Sequence, residues 1–252
     1  MPETPQNNFP WAGQPDEIGC NFAFGHLMQN MPGQLVTDGR LHAESLMAAT
    51  GAIAGLTAQI SLFADHDRVH KASTAGQVLE ATTKDGRAFL YGDAINEMLF
   101  TNDIAVARSR VWNCLVAAAL SVGMSRETIP DLNEMFRHVT ASLGGEREGY
   151  PSTPADHQPL MSAHELLRLV TPVSFACLTG EIDPITKKNN FRAAEPSWVA
   201  ITAQFAGNQR PRDVGEAVAV AARIRAQHGE RSIHVDLRGL RQHSLGLFDG
   251  DA

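Results

Sequence analysis

Cysteine is scarce in this chain. Cys20, Cys114 and Cys177 are odd in number and far apart, with neither a C-x-x-C pair nor a zinc-type spacing among them. That argues against a disulfide framework and reads each as a small buried hydrophobe in a reducing compartment. Positive charge is equally thin at the start. The first lysine or arginine is Arg40, so MPETPQNNFPWAGQPDEIG offers neither a secretory signal nor an arginine-rich transit peptide, and the expected location is the cytoplasm. Over the whole chain 21 basic residues face 28 acidic ones, a formal charge of −7 with no basic block to neutralise a phosphate backbone, so nucleic acid is not an expected partner. There is no Walker motif, no G-x-G-x-x-G after a strand and no long internal repeat.

What is present suits a globular protein. Hydrophobic residues make up 43% and charged ones 19% of 252 positions, enough to bury a substantial core. Residues 1–40 read as an extended N-terminal arm and lead-in segment, because prolines and amides disfavour a helix there. Phe9 and Trp11 in that arm have two readings, a contact with a neighbouring subunit or a resting place on their own domain. Residues 41–252 read as one helical domain, with a hairpin near 77–91 and a long loop near 144–161. The expected fold class is mainly α (α+β), a bundle-like domain with a small antiparallel hairpin or three-stranded sheet.

The stretch LMAATGAIAGLTAQISLFA, residues 46–64, carries no charge over nineteen positions and includes a small-xxx-small GAIAG. Its length reaches that of a membrane span. It is nonetheless rich in Ala, Gly, Thr and Ser, contains Gln59, and lacks anchoring residues upstream, so a central helix enclosed by protein is the better reading. Leu46, Ala49, Ile53, Leu56, Ile60 and Phe63 form one helical stripe. The helix is expected to run from about Ala43 into DHDRVH, with Gly51 and Gly55 admitting a close neighbour. An alanine- and glycine-rich face of this kind can also meet its own copy, which is the ground for expecting a homodimer.

DHDRVH raises a metal question. On a continuing helix His66 and His70 share a face and Asp67 neighbours His70, a donor set that suits a divalent metal such as zinc or iron. The glutamate of H-E-x-x-H is absent, and further ligands would have to come from Glu44, Glu97, His138 or His164. The competing reading is a solvated helix end whose histidines and Arg68 complement the dipole.

Lys84-Asp85-Gly86 between β-prone runs predicts strands at 77–82 and 87–91. Gly92 then ends the strand, and Asp93 is expected to cap a helix carrying Asn96 and Glu97 one turn on. With Tyr91, these three form the candidate small-molecule site at 91–97, since polar groups at a strand-to-helix turn can orient a ligand. A plain helix cap explains the same letters.

The remainder is read as mainly helical. One helix runs from about Ile104 to Gly123, a second from Pro130 to Leu143, and a third opens with a Ser162–Glu165 capping box and contains Pro172. A fourth begins near Pro196 and buries Trp198, Ile201 and Phe205, and VGEAVAVAARIRAQHG forms the last. SIHVDLRGL alternates like a strand, and a triad of Ser244, His234 and Asp236 drawn from it lacks a G-x-S-x-G elbow. Three functional readings follow. One is a small-molecule pocket at 91–97, enzymatic or not; another is a non-catalytic, homo-oligomeric structural or interaction protein; the third is a metal-dependent enzyme using His66 and His70.

Overall fold

In a computed structural model, described for residues 9–82, 86–180 and 193–209, eight α-helices and two small antiparallel sheets make a mainly α fold. The final helix and strand expected from the sequence, and the His234, Asp236 and Ser244 triad, lie outside the described residues.

The helices follow one another as α1 (Glu17–Asn30), α2 (Ala43–Phe63), α3 (His66–Thr74), α4 (Asp93–Leu99), α5 (Val111–Ser121), α6 (Leu132–Ser142), α7 (Ala163–Thr179) and α8 (Trp198–Asn208). Helix α1 occupies part of the segment read as extended. Its cause is visible in the spacing: Cys20, Ala23 and Leu27 recur at three and four residues, and all are buried. Phe9 and Trp11 rest on their own domain, stacked on each other at 4.7 Å, with the indole Nε1 of Trp11 donating to Asn21 Oδ1 at 2.8 Å.

Helix α2 is the axis of the fold. Seventeen of its 21 residues are buried, and α1's neighbours α7 and α8 pack along it with α4 on a further side. It is long and apolar enough to cross a membrane by length and composition, with a mean hydropathy of 1.5, yet 89% of the apolar window is buried inside the protein. The small-residue face proposed to meet a second copy is therefore already covered. Where α2 meets α8, two fully buried hydroxyls, Thr57 and Thr202, bond each other at 2.8 Å.

The helix does not continue into DHDRVH. It stops at Phe63, and Asp65 starts α3 by accepting from the amide of Arg68 at 3.0 Å. An aspartate that can satisfy a free amide gives the chain an alternative to another helical turn. The histidines consequently sit in the early part of α3 rather than at the end of α2.

Strands β3 (Leu79–Thr82) and β4 (Ala88–Tyr91) pair as expected, Leu79 facing Tyr91 and Thr82 facing Ala88. A second two-stranded sheet, β1 (Val36–Thr37) with β2 (Arg40–Leu41), was not anticipated. Its signal was Asp38-Gly39, whose positive φ values of 51° and 74° are those of a tight hairpin turn.

Helix α5 starts at Val111, later than the apolar pattern suggests, and Ile104 is 90% exposed. Asp103 Oδ1 takes the amide of Ala105 and Thr101 Oγ1 that of Asp103, local bonds that hold this stretch in turns. Helix α6 begins beyond Pro130, with Asp131 as its cap through the amide of Asn133. The capping box of α7 is present, Pro172 lies inside that helix, and Gly180 closes it in the left-handed region at φ 75°.

The 144–161 loop carries no strand or α-helix but is tied down. Arg87 grips Glu148 through both nitrogens, at 2.5 and 2.9 Å; His138 Nε2 lies 2.8 Å from the carbonyl of Tyr150; and the amide of Leu160 donates to Ser45 Oγ at 3.0 Å. Within it, Asp156 is exposed and His157 is half-buried, 3.5 Å from Glu44.

Candidate functional site

The sequence-derived candidates are scattered. Gly92, at φ 133°, is the residue that caps α4, and Asp93 is the helix's first residue with no capping bond. A glycine is required there because a Cβ would stand 2.2 Å from the carbonyl oxygen of Gln77. Tyr91, Asp93 and Glu97 are exposed and Asn96 is half-buried. None of the four lines the cleft described below. The expected Asp93 cap is thus replaced by Gly92, whose backbone takes the turn so tightly that no side chain fits.

His66, Asp67 and His70 are exposed on α3. Among the described residues no three His, Cys, Asp or Glu side chains gather in a geometry that could hold a metal ion. Of the proposed further ligands, Glu44 lies in the first turn of α2, roughly 30 Å of helix away from α3 at a rise of about 1.5 Å per residue. Glu97 is engaged loosely by Arg68 at 3.9 Å, His138 faces the loop carbonyl of Tyr150, and His164 sits in the first turn of α7.

The structure instead gathers groups at the carboxy-terminal end of α2, next to α3. A cleft of about 320 Å³ is bounded by Trp11 and Asp16 from the N-terminal segment, Ser61 and Asp65 at the α2–α3 junction, and Arg68 in α3. Ser109 and Arg110, leading into α5, and Ser197 with Val199 and Ala200, at the start of α8, complete it, and Met98 of α4 forms part of the wall. Asp16, Asp65, Arg110 and Ser197 are the residues that precede α1, α3, α5 and α8. The amino-terminal ends of four helices therefore meet at one place, each bringing the positive end of its dipole.

The acidic groups there are partly committed to structure. Asp16 Oδ2 accepts from Ser197 Oγ at 2.7 Å, from the amide of Ala194 at 3.2 Å and from Cys20 Sγ at 3.2 Å. Burial pushes its carboxyl up, but these bonds outweigh burial and hold it below the ordinary carboxylate value. Asp65 spends one oxygen on the cap of α3. Ser61 Oγ donates to the carbonyl of Glu195 at 2.6 Å, fastening the end of α2 to the turn before α8.

Arg110 is placed differently. Its Nε is enclosed and has no hydrogen-bond partner among the described residues. Burial lowers its affinity for a proton, and the nearby charge of Arg68 lowers it further, against the opposing pull of Glu97 and Asp103. Cys20, beside the cleft, is pushed up to about 12 by burial and by Asp16, and Cys114 and Cys177 reach about 12 by burial alone.

Sequence reasoning missed this cleft. Asp65 and Arg68 were visible as part of DHDRVH, but Asp16, Arg110 and Ser197 are far from them along the chain and carry no shared spacing. No family model matches the chain, and no curated protein or solved structure matches it.

Proposed function

We propose that the protein is a cytoplasmic small-molecule binder whose ligand occupies the cleft at the joined amino-terminal ends of α1, α3, α5 and α8. The observation that carries this reading is the convergence itself: four helix starts, two arginines and an apolar wall of Trp11, Met98 and Val199 around a cleft of about 320 Å³. That volume lies at the lower end of the range for small-ligand sites, and the wall is divided between polar groups and apolar side chains. The three unpaired cysteines suit a reducing compartment.

The chemistry of the cleft favours binding over catalysis. A general base working near neutrality needs a raised carboxylate, and Asp16 is held low. A thiol nucleophile needs a lowered pKa, and Cys20 is pushed up to about 12. A homodimer remains part of the proposal, formed through a face other than that of α2.

Fragment screening by protein-observed NMR tests the reading. Binders are expected to shift the indole signal of Trp11 and the methyl signal of Ala200 together, both of which line the cleft. A screen whose hits all perturb other regions, including 91–97, would overturn it. Native mass of the same sample reports the dimer.

A further inference from the structure

We propose that His42 is a proton-operated joint between the start of α2 and the 144–161 loop, closed while its imidazole is neutral and released when the ring takes up a proton.

The residue before a helix usually caps it with a hydroxyl, a carboxylate or an amide oxygen. Here an imidazole does so: the amide of Ser45 donates to His42 Nδ1 at 3.2 Å. A backbone amide can only donate, so Nδ1 carries a lone pair and the proton of the neutral ring sits on Nε2. Ser45 Oγ lies 3.0 Å from the same nitrogen and accepts from the amide of Leu160 at 3.0 Å. With Nδ1 as an acceptor the chain of bonds runs in one direction, from Leu160 to Ser45 and from Ser45 to His42. Ser45 is 1% exposed, so water offers its amide no ready replacement for the cap.

A proton on Nδ1 turns this acceptor into a donor. The Ser45 amide then loses its partner in every arrangement, and the Ser45 hydroxyl must turn its own proton elsewhere. The Leu160 amide rests on that same oxygen and moves with it. A positive charge at the start of α2 also opposes the helix dipole.

Glu44 pulls the other way. Its Oε2 lies 3.8 Å from His42 Nδ1, which gives the protonated ring a carboxylate to turn to in place of the cap. The neutral ring has one set of partners and the cation another, which is what a two-state switch needs. From the loop, His157 Nδ1 faces the other oxygen of Glu44 at 3.5 Å, and Asp156 lies 3.8 Å from His157 Nε2. His157 meets Glu44 without touching the cap. His138 behaves in the opposite sense to His42, because its Nε2 faces the carbonyl of Tyr150 at 2.8 Å and donates whether or not the ring is charged. That bond and the Arg87–Glu148 pair keep the earlier part of the loop attached in acid, so release is confined to the Leu160 end.

Histidine-ring and amide NMR on the full chain between about pH 8 and about pH 5 tests the joint, since imidazoles change charge in this range. At the upper end His42 is expected to carry its proton on Nε2. On acidification the Ser45 and Leu160 amide signals are expected to move with the midpoint of the His42 ring. Protection of the Ser45 amide from hydrogen exchange is expected to fall about fivefold, the size of a lost cap. His42→Asn, which supplies a cap that does not titrate, is expected to fold and to hold both amides still over the same range. His157→Gln is expected to leave the response in place. A proton on Nδ1 of His42 at about pH 8, a ring still neutral at about pH 5, or Ser45 and Leu160 amides that stay still during its titration would each overturn the proposal. So would a response that survives in folded His42→Asn protein or disappears in His157→Gln.

Discussion

Thr57 and Thr202, separated by 145 positions in the chain, join their hydroxyls at 2.8 Å where α2 crosses α8, and neither is exposed at all. One hydroxyl donates to the other, which spends its own proton on a backbone carbonyl in its helix, that of Ala54 for Thr57 or that of Trp198 for Thr202. The pair fixes the register of two helices that are otherwise held by apolar contact. Replacing either threonine by valine keeps the shape and leaves the other hydroxyl with one partner fewer, at an expected cost of about 1–2 kcal/mol in urea unfolding. The double replacement is expected to cost less than the sum of the two. Strict additivity would show that the two hydroxyls do not interact.

Gly92 makes a sharper test of backbone geometry. A Cβ at this position would meet the carbonyl oxygen of Gln77 at 2.2 Å and its carbon at 2.8 Å, in a φ region that other residues rarely enter. Gly92→Ala is expected to destabilise by about 2 kcal/mol or more, the combined result of strain and displaced backbone. Gly25, with open space around it, serves as the control, and its replacement by alanine within α1 is expected to be neutral or stabilising by up to about 1 kcal/mol. Equal melting temperatures for the two variants would contradict the assigned turn.

The Asp16 carboxyl ties stability to acid. Its folded-state value lies below the ordinary one, so the ionised form favours the fold. The contribution is complete above the unfolded value of about 3.9 and is lost as pH falls through the lower folded value. Because Asp16 is only half-buried, screening by solvent limits its worth to about 1 kcal/mol. Asp16→Asn is expected to be less stable than the parent at pH 6, with the gap narrowing as pH falls through the lowered folded-state value. A gap that persists unchanged in acid would show that charge is not the cause.

The cysteines predict a kinetic result. With all three thiols at about 12, the thiolate fraction at pH 8 is on the order of one in ten thousand. Reaction with a disulfide reagent at pH 8 is expected to be slow in the native protein and to release three equivalents on addition of denaturant. Rapid labelling of one native thiol would mean that it opens to solvent far more readily than its burial implies.

Much of the fold was legible because it is written in short-range patterns. The capping box of Ser162 and Glu165, the β3–β4 hairpin, the burial of Trp198, Ile201 and Phe205, and the enclosed nature of α2 each follow from spacing within one element. Errors came where two local rules competed. Asp65 offered a cap inside an apolar pattern and the cap won, and Thr101 and Asp103 held turns where apolar periodicity suggested helix. The hairpin at Asp38-Gly39 was readable by the same rule that found its neighbour.

The site belongs to a different level. The sequence by itself determined that the chain is mainly helical and that its long uncharged stretch forms a helix, since each of these depends on neighbours a few residues apart. Only the tertiary structure brought Asp16, Asp65, Arg110 and Ser197 to one cleft, because α8 packs against α1, α2 and α5 while α3 packs against α2. No spacing encodes that meeting. The same packing encloses the Nε of Arg110 without giving it an acceptor, and a group in that position records the energy of a whole arrangement rather than of any local sequence.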